Sequence, residues 1–86
     1  MSLAEFREQI SAVDRELLDA INRRVALVRD LHEHKQETGI PLRDLDREES
    51  LVRALQESNP GPLSTAGVSS FFHHVLELTR RELYGE

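Results

Sequence analysis

Between Met1 and Thr38 the chain contains neither glycine nor proline, and apolar residues recur at Leu3, Phe6, Ile10, Val13, Leu17, Ile21, Val25, Val28 and Leu31. Steps of three and four follow one face of a helix, whereas a half-buried strand would alternate every second residue. Gly39 offers a C-terminal stop and Pro41 bars continuation, so the pattern predicts one helix of about 36 residues and about 54 Å. A compact globule of 86 residues has a radius of gyration of only about 12 Å. Much of the apolar stripe therefore overhangs its own chain. Burying it calls for a second copy, and a twofold homodimer is the commonest such arrangement.

The remainder reads as two shorter helices. Asp46 and Glu49 have the spacing of a capping box, with Asp in place of Ser or Thr, and Leu51, Val52 and Leu55 follow. In "NPGPLS" the residues Pro60, Gly61 and Pro62 interrupt helical geometry, so the segment is a loop. Ser64 is then the expected N-cap of a third helix with apolar positions Val68, Phe71, Phe72, Val75, Leu76 and Leu83, ending at Gly85. Gly67 falls inside this helix and suggests a close helix crossing. The expected fold is all-α, three helices with a very long first one, as an intertwined homodimer and a single domain over residues 1–86.

Composition narrows the possible functions. A formal net charge of -5 argues against general attraction to nucleic acid or to an anionic membrane, so any bound anion needs locally placed cations. No cysteine is present, which removes disulfides and thiolate nucleophiles and suits a cytoplasmic protein. No apolar run is long enough to span a bilayer. His32 and His34 face different sides of a helix and His73 and His74 are adjacent. Neither pair has metal-site spacing, so no metal or other cofactor is expected.

Several charged residues stand where a core belongs. On a helical wheel with Ile10 at zero, Arg24 lies about 40° and Lys35 about 20° away on the side of Val13 and Leu17, which puts both in the middle of the stripe. A cation there needs a carboxylate partner, an anionic ligand or a route to solvent. Arg24 and Lys35 are also about 16 Å apart along one face, so they could bracket a small anion. In the second helix Asp44 and Glu48 extend the face of Leu51 and Leu55, with Arg47 beside them. In the third, Thr79 lies in the stripe between Val75 and Leu83, and Glu82 lies near its centre. Capping and surface solvation account for each acid taken singly.

Taken together, "FREQISAVDRELLDAINRRVALVRDLHEHK" and "IPLRDLDREESL" resemble the first- and second-helix signatures of the all-helical (AroQ-class, type II) chorismate mutase family. The family rearranges the dianion chorismate to prephenate in phenylalanine and tyrosine biosynthesis. The resemblance implies that Arg24 and Arg47 hold the substrate carboxylates, and that Lys35 reaches a carboxylate and the ether oxygen. It implies further that Glu48 accepts from the substrate hydroxyl and that the Asp44 backbone meets the same hydroxyl. Arg7 is implied to act in the partner's site. Arg7 and Arg24 are about 25 Å apart along one helix, so they cannot touch one small ligand from a single chain.

The third helix departs from the family pattern. Thr79 stands where a small hydroxyl residue is usual, but the position of a Gln or Glu that donates to the ether oxygen is occupied by Leu83. Adjacent Glu82 could substitute only when protonated. Two alternatives remain: an isochorismate-pyruvate lyase of the same fold, and a non-catalytic helical dimerisation or regulatory module.

Overall fold

The run free of glycine and proline forms α1 over Leu3–Thr38. This computed structural model describes residues 1–38 and 44–85, with residues 35–38 described by their backbone alone. The expected stop at Gly39 and Pro41 lies outside the described residues. At its other end α1 begins with a reciprocal cap between Ser2 and Glu5. The Glu5 amide donates to Ser2 Oγ at 3.1 Å, and the Ser2 amide donates to Glu5 Oε1 at 3.4 Å.

The second helix, α2, spans Leu45–Ser58, and its N-cap is Asp44 rather than Asp46. The Asp44 carboxylate accepts from the Arg47 amide at 3.0 Å, while Asp46 sits in the first turn, where its charge favours the helix dipole. A side-chain scaffold shapes the loop that follows: Asn59 Nδ2 donates to the Leu63 carbonyl at 2.6 Å, and its Oδ1 accepts from the Gly61 amide at 3.1 Å. Gly61 has φ 81°, a left-handed conformation that favours glycine.

The third helix, α3, spans Thr65–Tyr84 between the expected caps, Ser64 accepting from the Gly67 amide and Gly85 in the left-handed conformation. Among the described residues the nearest neighbours of Gly67 come from its own loop, Leu63 and Ser64, and not from another helix. A Cβ at that position would meet Leu63 Cδ1 at 2.7 Å, so the missing side chain makes room for the loop residue that folds back over the first turn of α3.

Among the described residues there are three helices and no strands, and α3 is the element against which both α1 and α2 pack. The core is small: Val52 from α2 with Val68, Val75 and Thr79 from α3. Near the far end of α3, the Tyr84 ring packs at 4.8 Å from the His32 ring of α1. The molecule measures 55 × 24 × 20 Å with a radius of gyration of 16.0 Å, well above the value of about 12 Å for a compact chain of this length. The excess is the overhang of α1, where Leu3, Phe6, Ile10, Val13 and Leu17 are all exposed. Between Leu17, Leu18 and Ile21 of α1 and Phe71, Val75 and Leu78 of α3 lies an open, mainly apolar cleft of about 440 Å³.

Candidate active site

The site is built where one polar side chain from each helix reaches inward. Arg24 is carried on the covered half of α1 and is half-buried. Its Nη1 donates to Thr79 Oγ1 at 3.1 Å. Thr79 is only 4% exposed, and its own hydroxyl donates to the Val75 carbonyl at 2.7 Å. That second bond uses the hydroxyl proton and leaves oxygen lone pairs for Arg24.

Burial pushes the Arg24 guanidinium below its ordinary range, and the negative charge of Glu48 partly opposes that shift. An arginine nonetheless stays cationic under any working condition. Among the described residues no carboxylate lies within ion-pair distance of Arg24. Its bond to Thr79 is to a neutral hydroxyl, which takes one of five guanidinium donors. The remaining donors and the charge suit an anion.

Glu48, half-buried on the first full turn of α2, faces the same region. Arg80 Nη1 of α3 donates to Glu48 Oε1 at 3.1 Å, with the two side chains 25% and 23% exposed. Glu48 is thus paired with the guanidinium of Arg80 and also feels the charge of Arg24.

The remaining expected residues are distributed unevenly. Asp44 and Arg47 are exposed at the start of α2, Asp44 engaged as the cap and its carbonyl accepting from the Glu48 amide at 3.1 Å. Lys35 belongs to the last turn of α1, and its side chain lies outside the described residues. Arg7 is exposed in the overhang, remote from Arg24. Glu82 is exposed, whereas Leu83 beside it is half-buried. The turn of α3 therefore directs an apolar side chain inward there, not the neighbouring acid.

Arg80 was not among the expected site residues. In the sequence it stands in a run of charges, Arg80, Arg81 and Glu82, at the edge of the α3 stripe. The available signal was its place directly after Thr79. The histidines of α3 have local roles, His73 and His74 each donating through Nδ1 to the carbonyls of Ser69 and Ser70 at 2.7 Å.

Comparison with known proteins agrees with this geometry. The family model for chorismate mutase type II matches residues 6–83. Among solved structures, chorismate mutase from Thermus thermophilus in its form I is similar with a TM-score of 0.87 and 27% identity, over 90% of this chain and 96% of that one. Form II of the same enzyme gives a TM-score of 0.86 and 27% identity, over 90% and 88%. No curated protein sequence matches the chain.

Proposed function

This chain belongs to the type II chorismate mutase family and is an isomerase of that class; from that premise we propose how its own residues rearrange chorismate to prephenate. The observation that carries the assignment of residues is Arg24, a half-buried cation held by a hydroxyl and lacking a carboxylate at ion-pair distance among the described residues. Arg24 and Arg47 bind the two substrate carboxylates, Lys35 reaches a carboxylate and the ether oxygen, and Glu48 accepts from the ring hydroxyl. Asp44 and Thr79 position these groups. Leu83 offers no donor to the ether oxygen, and exposed Glu82 is poorly placed to replace it.

The reaction is a [3,3] shift in which a C–O bond breaks as a C–C bond forms, with no proton transfer and no covalent intermediate. No nucleophile is required. The protein holds the substrate folded, with its reacting ends together, and sets fixed cations against the negative charge that grows on the ether oxygen. A millionfold acceleration corresponds to about 8 kcal/mol. Positive groups prearranged in a site of low water content are suited to supply it, because they need not reorganise as the charge develops.

The site is completed by a second copy of the chain. The exposed stripe of α1 and the apolar cleft beside it support a homodimer, and the separation of Arg7 from Arg24 supports Arg7 acting in the partner's site. Read in this way, residues 1–86 form one chorismate mutase domain, which the match over residues 6–83 supports. The enzyme works in the cytoplasm, in aromatic amino-acid biosynthesis. No helix among the described residues is long and apolar enough to cross a membrane.

The test is to add purified protein to chorismate, follow the loss of its ultraviolet absorbance and identify the product by chromatography. Prephenate is expected. Intact chorismate in the presence of folded dimer would overturn the assignment, and cleavage of isochorismate instead would redirect it to the lyase.

A further inference from the structure

We infer that Arg80 is a positioning residue, and that α3 acts through the consecutive pair Thr79–Arg80 to set the separation between the Arg24 guanidinium and the Glu48 carboxylate. The inference rests on the function proposed above and extends it to a residue that neither the motifs nor the family signature singled out.

The argument begins with packing. α1 and α2 each pack on α3, and among the described residues they share no comparable packing with one another. Among the described residues, backbone packing of α1 on α2 therefore contributes little to how far Arg24 stands from Glu48, although their opposite charges attract. Both groups are instead tied to α3, Arg24 through Thr79 at 3.1 Å and Glu48 through Arg80 at 3.1 Å. Consecutive helical residues point about 100° apart, which lets Thr79 address α1 while Arg80 addresses α2. One turn of α3 thus holds a group on each of the other two helices.

The chemistry of the pair fits this role. The bond from Arg80 is charge-assisted, and three-quarters of each side chain is removed from solvent, so it is screened less than a surface pair. Arg80 holds one Glu48 oxygen, Oε1, and so fixes the direction in which the carboxylate faces a substrate hydroxyl. Arg80 also precedes Leu83 by three positions, a helical near neighbour.

A double-mutant cycle tests the inference with chorismate as substrate. Arg80→Met is expected to raise KM about tenfold with kcat within about twofold of the parent, because Glu48 binds the hydroxyl alike before and during the reaction. Arg80→Lys should recover at least half of the loss on a logarithmic scale. In a Glu48→Gln background, Arg80→Met should change KM by less than about twofold, since the coupling then has no carboxylate to act on.

A purely structural salt bridge would move the urea midpoint without this dependence on Glu48. Unchanged kinetics for Arg80→Met, or an equal loss in the Glu48→Gln background, overturns the inference. Should Arg80→Met fail to fold, Arg80→Gln takes its place with the same expected outcomes. An inactive parent protein defeats the functional reading itself and the inference with it, whereas an active parent with an indifferent Arg80 defeats the inference alone.

Discussion

In the first half of α1 the stripe residues Leu3, Phe6, Ile10, Val13 and Leu17 are 50% to 64% exposed, whereas in the second half Ile21, Val25 and Val28 are half-buried beside α3. The period is the same in both halves, and so is the helix. Only the second half has a neighbour in its own chain. Cations follow the same division: Arg24 in the covered half is fixed by Thr79, while Arg7 in the uncovered half is exposed. An apolar pattern thus states that a face will be buried but not by which molecule, and the uncovered half supports the reading of a second copy with Arg7 acting in trans.

The largest effects should come from the two arginines. Arg24→Ala and Arg7→Ala are each expected to lower kcat/KM by about a hundred- to thousandfold, the scale for losing one preorganised charge-stabilising group. Mixing the two inactive chains should then restore activity, because each heterodimer has one site carrying both defects and one carrying neither. Verified heterodimers without recovered activity would break the division of labour between the two halves.

Placing a charge in the stripe sharpens the contrast next. Ile10→Asp should weaken the dimer by at least about a hundredfold in sedimentation equilibrium, since it places an unpaired carboxylate in the apolar contact of each chain. The chain should stay helical. An Ile10→Asp protein that remains a tight, active dimer would show that this stripe is not the interface.

A smaller loss is expected inside the covered half. Thr79→Val keeps the shape but removes the acceptor for Arg24, and kcat/KM should fall by about tenfold, as for a hydrogen bond to a charged group. Equal activity in Thr79→Val would mean that Arg24 is held by packing alone.

The smallest effects concern the caps. Ser64→Ala, at the start of a packed helix, should lower unfolding free energy by about 1 kcal/mol in urea titrations, and Ser2→Ala, at the tip of the overhang, by less. The reverse order would indicate that the overhang is anchored more firmly than α3.

Much of the helical layout was legible because it depends on neighbours in sequence. The length of α1 followed from the absence of glycine and proline, and Ser64 and Gly85 were read correctly as the bounds of α3. The start of α2 was misjudged by two residues. Asp46 with Glu49 has the better box spacing, but the chain caps at Asp44, whose carboxylate accepts from the Arg47 amide. Gly67 was also misread, because a gap that accommodates Leu63 looks, in one dimension, like a gap that accommodates a helix.

Within the site, the inward placement of Arg24 was visible because a cation interrupts an apolar stripe, and Glu48 because it continues one. Arg80 was hidden, since an arginine at a stripe edge followed by Arg81 and Glu82 has the pattern of a solvated surface. Glu82 was misleading for the complementary reason. Its wheel position lies near the centre of the stripe, but at this level of α3 the neighbouring Leu83 is the side chain turned inward, and Glu82 is exposed.

The sequence by itself determined three helices, their order, the excess length of the first and the presence of cations in need of anions, because period and punctuation act over a few residues. The tertiary structure alone decided which partners those charges meet. Arg24 reaches Thr79 across 55 positions and Arg80 reaches Glu48 across 32, and pairings at such separations depend on how α3 lies against the other two helices, which no local pattern specifies.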